Sequence, residues 1–216
     1  MASILKVDKL DPQSGTALEI GSSGDTITIP SGATFTQSGT MNASAITAGT
    51  LAIARGGTGA ATFAAAGLAN TPAFEAYLSA DQALSDSTVA KVQFNTEEYD
   101  TDGDYDNSSN YRFTPTTAGK YYVYTTVYLA QDTVTQFKVG RVYIYKNGAG
   151  VAYSAIQQEA SFTKHNTMHV SSVQDMDGSS DYVEIYAYIA VDSVANNLKC
   201  DYAARTLFGA YRIIGA

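Results

Sequence analysis

The stretch 121–129 constrains this chain more than any other feature. Apolar Val123, Val127 and Leu129 alternate there with Tyr122, Tyr124 and Tyr128. A period of two puts successive side chains on opposite faces of an extended backbone, so the stretch predicts a strand with one buried face. Residues 182–190 repeat the pattern, Val183, Ile185, Ala187 and Ile189 alternating with Tyr182, Glu184, Tyr186 and Tyr188. Arg141-Val142-Tyr143-Ile144-Tyr145 repeats it again and runs into Lys146-Asn147-Gly148, whose Asn-Gly pair suits the positive φ of a two-residue hairpin turn. No part of 73–216 carries a 3.6 period. Alternating runs separated by turn signals predict an all-β sandwich.

The faces opposite the aliphatic ones are rich in tyrosine, which is unusual for a surface that meets only water. A tyrosine has a large apolar body, a hydroxyl, and little rotamer entropy to lose. The pattern predicts a subunit interface containing Tyr122, Tyr124, Tyr128, Tyr143, Tyr145, Tyr186 and Tyr188. A ligand-recognition surface and plain β-propensity on an exposed face are the other two readings.

All 16 tyrosines follow residue 72, whereas residues 1–72 hold 10 of the 18 glycines and only seven charged residues. This shift places a boundary near Asn70-Thr71-Pro72, since proline pushes its predecessor out of helix. The first part reads as very short strands, at Ala17-Leu18-Glu19-Ile20, Thr26-Ile27-Thr28-Ile29 and Ala33-Thr34-Phe35-Thr36, between Gly/Ser turns. Strands so short cannot bury a core alone and need stacked rungs or further copies of the chain. A Gly/Ser/Thr linker without fixed structure is the other reading. Residues 60–68 are Ala-rich and fit two helical turns.

Thirteen basic against 21 acidic residues give a net charge of −8. Without a basic stripe to displace phosphate counterions, nucleic acid is excluded as a partner, and anionic membrane surfaces are disfavoured. No stretch approaches a membrane span, so no membrane insertion is expected. Cys200 is the single cysteine and cannot form a disulfide within the chain. The beginning of the sequence carries no signal-peptide pattern, and synthesis in a reducing cytoplasm, or passage outside by a route other than secretion, is expected.

The sharpest local feature is acidic. Asp100, Asp102, Asp104 and Asp106 alternate within 97–106 and are the candidate ligands for calcium, which prefers clustered oxygens. Tyr105 and Tyr111 occupy the positions where an EF-hand needs glycine and glutamate, so that motif is absent, and a solvated acidic loop is the competing reading. Asp175, Asp177 and Asp181 form a smaller cluster. His165 and His169 lack the glutamate of a zinc-binding helix motif, Gly56-Gly57-Thr58-Gly59 lacks the lysine of a phosphate loop, and no nucleophile elbow occurs. No catalytic constellation emerges, so the chain is not expected to be an enzyme, and no cofactor besides calcium is expected.

Residues 72–216 resemble the globular heads of the complement-q type and the related tumour necrosis factor jelly roll. The resemblance rests on Pro72-Ala73-Phe74-Glu75-Ala76, Val92-Gln93-Phe94-Asn95, Tyr105-Asp106 with Tyr111-Arg112-Phe113-Thr114-Pro115 and Ala118-Gly119-Lys120-Tyr121-Tyr122-Val123, Tyr145-Lys146-Asn147-Gly148, and Thr206-Leu207-Phe208-Gly209-Ala210-Tyr211. The chain departs at Gly178-Ser179-Ser180-Asp181, where the family has a shorter Gly-Asp. The resemblance implies a jelly-roll β-sandwich and a homotrimer with aromatic residues against its three-fold axis.

The first part resembles bacteriophage tail-fibre sequence. Thr50-Leu51-Ala52-Ile53-Ala54-Arg55-Gly56-Gly57-Thr58-Gly59-Ala60-Ala61-Thr62 is similar to an Arg-Gly-Gly-Thr-Gly-Ala element that recurs in such fibres, and Leu18-Glu19-Ile20-Gly21 and Thr28-Ile29-Pro30-Ser31-Gly32-Ala33 are similar phrases. The resemblance implies a virion protein, with 1–30 attaching to other virion proteins, 31–71 forming a stalk and 72–216 the head. A tail fibre binding a host-surface glycan or protein is the first expectation. A capsid decoration, head-fibre or cement protein is the second. The tips 100–110 and 161–181 are candidates for receptor contact, although no receptor-binding residue follows from the sequence.

Overall fold

A computed structural model describes residues 68–131, 137–159, 163–191, 198–202 and 206–215, together with 23–34 and the separate positions 10, 12–14, 20, 36 and 66. The chain divides into two units, Met1–Gly49 and Thr50–Ala216. In the first, Thr26 to Ile29 lie between a turn at Gly24 (φ 94°) and one at Gly32 (φ 87°), where the Ala33 amide donates to the Pro30 carbonyl at 3.0 Å. The strand expected there forms no ladder among the described residues, and Ile27 and Ile29 are exposed. A four-residue strand makes its hydrogen bonds only beside a partner. The strand expected at 17–20, the tail-fibre-like element at 50–62 and the helical turns at 60–68 lie largely outside the described residues.

Among its described residues the second unit holds thirteen strands and no helix. In chain order they are β1 (Ala73–Tyr77), β2 (Gln82–Ala83), β3 (Ala90–Lys91), β4 (Thr96–Asp100), β5 (Tyr105–Asp106), β6 (Arg112–Phe113) and β7 (Gly119–Gln131), then β8 (Phe137–Lys146), β9 (Ala149–Gln157), β10 (His165–Met176), β11 (Val183–Val191), β12 (Leu198–Cys200) and β13 (Leu207–Arg212). The first sheet runs β2-β12-β7-β13-β1-β4, with β10 on the other edge of β7; the second runs β5-β6-β11-β8-β9, with β3 on β11. All the pairings are antiparallel. Pairing β1 with β13, β13 with β7 and β7 with β10, against β11 with β8 and β8 with β9, makes the two interleaved Greek keys of a jelly roll.

The alternation of the long strands is the alternation of the sandwich. Val123, Val127 and Leu129 of β7 and Val183, Ile185, Ala187 and Ile189 of β11 are buried between the sheets. Asn147 (φ 51°) and Gly148 (φ 78°) form the turn joining β8 to β9, where Lys146 pairs with Ala149. One end of the core is aromatic: Phe74 stacks on Tyr105 and on Phe113, each at 4.5 Å, and meets the edge of Phe208 at 4.8 Å. Two tyrosines belong to this interior. Their hydroxyls are satisfied there, Tyr105 donating to the Phe94 carbonyl at 2.9 Å and Tyr121 to the Thr117 carbonyl at 2.7 Å. Cys200 is free and buried in the same core, and burial raises its thiol well above the ordinary range.

Candidate interaction faces

The seven tyrosines expected at one interface lie on two different faces. Tyr122, Tyr124 and Tyr128 are on the outer side of the first sheet. Tyr143, Tyr145, Tyr186 and Tyr188 are on the outer side of the second, with the core between the two groups. A period of two says which side of its own strand a residue takes, but not which sheet that strand joins.

On the first sheet the ladder places Tyr211 and Val173 on either side of Tyr122, and Gly209 and Ser171 on either side of Tyr124. The ring centroids lie 5.5 Å apart for Tyr122 and Tyr211, 6.0 Å for Tyr122 and Tyr124, and 6.4 Å for Tyr124 and Tyr211. Gly209 makes this packing possible. A Cβ there would sit 2.5 Å from the Cζ and Oη of Tyr124, so the ring lies across bare backbone. The Tyr124 hydroxyl donates to Glu75 Oε2 at 2.7 Å. Burial first, and the Glu75 carboxylate second, hold that phenol far above its ordinary value. Farther along the strand, Tyr128 stacks on His165 at 5.5 Å, and Thr126 Oγ1 and His169 Nδ1 are 3.1 Å apart. The sequence pattern did not single out Tyr99, Val173 or Tyr211, which are 43%, 50% and 37% exposed on this face. Tyr211 lies in a closing strand too short to show its period.

The second face is aromatic and charged. The ladder sets Tyr153, Tyr143, Tyr186 and Lys91 in one row across β9, β8, β11 and β3. Tyr145 packs on Tyr186 at 4.3 Å and Tyr143 on Tyr153 at 5.9 Å, while the guanidinium of Arg141 sits 5.3 Å from the Tyr188 ring. Glu184, although on this outer side, is only 4% exposed, and Lys91 Nζ pairs with its Oε1 at 2.5 Å. Lys91 also donates to the Asn110 carbonyl at 3.1 Å. Burial and then the Glu184 charge push the Tyr186 phenol up to about 12; burial raises Tyr121 to about 12 as well.

An alkaline prediction follows with a definite sign. The fold favours the protonated form of both phenols, so their contribution to stability is complete below pH 10, the ordinary phenol value, and is lost as pH rises to about 12. Phenolate absorbance followed from pH 9 upward is expected to lag in the folded protein, its late fraction shrinking in Tyr186→Phe. A titration in which all the tyrosines ionise with a midpoint near pH 10 while the fold is intact would contradict this burial.

The acidic run folds into β4, a turn at 101–103, and β5. Three of its carboxylates are engaged by nearby donors, each by its own set. Asp100 accepts from the amides of Gly103 at 3.0 Å and Tyr105 at 2.9 Å, buried Asp104 accepts from the Thr116 amide at 2.8 Å, and Asp106 accepts from the amides of Ser108, Ser109 and Asn110. The Ser109 amide, with its neighbours, holds the Asp106 carboxyl well below the usual range. Desolvation raises Asp104. Asp102 lies in the exposed turn, its amide donating to Asp100 at 3.3 Å. In the smaller cluster Asp177 accepts from the amides of Ser179, Ser180 and Asp181, while Asp175 pairs with Lys120. Among the described residues no three His, Cys, Asp or Glu side chains gather as a metal site would need.

The tip expected at 161–181 is mostly strand. β10 occupies His165–Met176, with Met168, Val170 and Met176 turned inward, and 177–182 forms a loop. Its polar composition hid the strand, because its outer positions carry His165, Thr167, His169 and Ser171.

No family model and no curated protein matches the sequence. Among solved structures, the chain is similar to the globular domain of zebrafish complement 1qA protein (15% identity over 66% of this chain and 98% of that one, TM-score 0.47). It is also similar to Eiger TNF from S. frugiperda (11% identity, 68% and 96%, TM-score 0.48) and to murine APRIL (14% identity, 65% and 98%, TM-score 0.45).

Proposed function

We propose that this chain is a homotrimeric bacteriophage virion protein, a tail fibre whose jelly-roll head binds a receptor on the host surface. The outer face of the first sheet is the observation that carries the reading: the rings of Tyr122, Tyr124 and Tyr211 pack together, Tyr124 across Gly209, beside Val173 and Tyr99, with Glu75 already bonded to Tyr124. The core of a subunit interface is aromatic and depleted in charge; here the Lys120–Asp175 pair lies at one end of the ring cluster, whereas the second face carries Arg141, Lys91 and Glu184 among its rings. Two opposite faces of one sandwich cannot both close a three-fold ring, because contact between them stacks copies in a line. The first face therefore meets the axis.

The sequence of 50–62 supports a fibre, with 1–30 held by other virion proteins and 31–71 as the stalk. Three heads on one stem raise apparent affinity by about 10²–10⁴ through effective concentration, so weak single contacts suffice.

Light scattering on the full chain is expected to give three times 22.8 kDa, and the double variant Tyr122→Glu/Tyr211→Glu is expected to be monomeric with an unchanged circular dichroism spectrum. A wild-type monomer at micromolar concentration would remove the trimer. Antibody-gold labelling of intact particles tests the location: label on the tail supports the fibre, and label spread over the capsid replaces it with a decoration protein.

A further inference from the structure

We propose that the outer face of the second sheet is a binding platform for an acidic saccharide, with a sugar ring laid on Tyr143 and Tyr153 and its carboxylate on Arg141. This rests on the reading of the head as a receptor-binding trimer that hides the first face and leaves the second in solvent.

Three observations lead to it. The first is shape. Tyr153, Tyr143 and Tyr186 stand side by side across three strands, and the ladder neighbours of Tyr145 and Arg141 on β9 are Gly150 and Ala155. Tyr145 Cε1 comes to the 3.4 Å at which a Cβ on Gly150 would touch it, so the rings form a shelf that nothing overhangs on that side. Tyr153, on the edge strand, is 67% exposed.

The second is chemistry. One face of a pyranose is a patch of C–H groups surrounded by hydroxyls. A tyrosine presents an apolar ring to the first and a hydroxyl to the second. A purely apolar partner would leave the phenols of such a shelf unsatisfied.

The third is charge, which selects an acidic sugar. Of the other cations of this face, Lys91 is neutralised by Glu184, and the guanidinium of Arg112 lies 4.4 Å from the ring of Tyr182, six residues along the chain from the Tyr188 that Arg141 covers. Arg141 is exposed, its guanidinium lies 5.3 Å from the Tyr188 ring, and among the described residues no carboxylate pairs with it. A guanidinium on an aromatic ring keeps its planar fork of donors for a carboxylate. The net charge of −8 does not oppose this at close range, since charges beyond about 8 Å are screened at physiological ionic strength.

The test uses the full chain and titration calorimetry with three probes, oligosaccharides containing glucuronate, galacturonate or N-acetylneuraminate, each beside its carboxyl-reduced neutral form. At least one acid is expected to bind, and its neutral form about 10–100-fold more weakly. Arg141→Gln is expected to bind the acid and neutral forms alike, and Tyr153→Ala to lose both. Both residues are exposed, and light scattering on each variant checks that the assembly is unchanged. Binding of none of the three acids, equal binding of acid and neutral forms to the wild type, or discrimination retained by Arg141→Gln overturns the platform.

Competition for particle adsorption separates this from the broader reading. Wild-type chain and Arg141→Gln blocking adsorption equally well would overturn the platform as the receptor site and leave receptor binding in place. Saccharide binding without any block of adsorption would keep the platform and overturn the receptor-binding fibre.

Discussion

Phe74→Ala is expected to be the most damaging single truncation in the head, lowering stability by about 3–5 kcal/mol. Phe74 is fully buried where β1 meets the second sheet, in contact with Tyr105, Phe113 and Phe208 at 4.5–4.8 Å. Truncation removes the transfer free energy of the ring and leaves a cavity lined by side chains from three other strands, β5, β6 and β13. Those strands are held by their ladders, so the cavity cannot collapse cheaply. Three aromatic contacts, each worth about 0.5–1.5 kcal/mol beyond area burial, disappear together. For a chain of this size the change corresponds to a melting temperature lower by about 10 °C. Phe74→Leu fills most of the space and is expected to cost roughly half as much. Calorimetry or denaturant titration on the full chain measures both. A loss below about 1 kcal/mol for Phe74→Ala would mean that this aromatic end is not a packed core.

Gly209→Val is expected to cost about 2–3 kcal/mol and to dissociate the trimer as well. Any Cβ at this position meets Tyr124 Cζ and Oη at 2.5 Å and the Phe74 carbonyl oxygen at 3.0 Å. The ring can move but the carbonyl cannot, because β1 is held between β13 and β4. Tyr124 must therefore swing outward. It then gives up its 2.7 Å hydrogen bond to Glu75, the ladder partner of Gly209, and breaks up the ring cluster with Tyr122 and Tyr211. The half-buried Glu75–Tyr124 bond and the flatness of the face are lost by the same displacement. Coupling to Tyr124 is the specific expectation. In Gly209→Val/Tyr124→Ala the ring is already gone, and the double variant is expected to be more stable than the sum of the two single losses by at least about 1 kcal/mol. Thermal denaturation gives the cycle and light scattering the assembly; strictly additive losses would show that the ring does not rest on Gly209.

Much of the fold can be read from local pattern. The inward residues of β7, β8 and β11 are those that alternation selects, and the Asn147-Gly148 turn sits where its dihedral preference puts it. What local pattern misses is made of very short or very polar elements. The two-residue strands β2, β3, β5 and β6 have no period to display, and β10 hides under its hydroxyl and histidine residues. In the acidic run, Asp100 and Asp106 bond to amides two to five residues onward, a local turn chemistry that the alternation of aspartates does not display.

The candidate faces divide in the same way. The sequence by itself determined that each long strand has an aliphatic inner side and a tyrosine-bearing outer side, because a backbone period of two needs no partner to be expressed. Only the tertiary structure decided that Tyr122 and Tyr124 belong with Tyr211, Val173 and Tyr99, that Tyr143 and Tyr186 belong with Tyr153 and Arg141, and that the two groups face opposite ways. Those neighbourhoods come from ladders such as Tyr122 with Tyr211 and Tyr186 with Lys91, between residues about ninety apart in the chain. Which strands pair across such a separation is set by closure of the whole sandwich around one core, and no local stretch carries it.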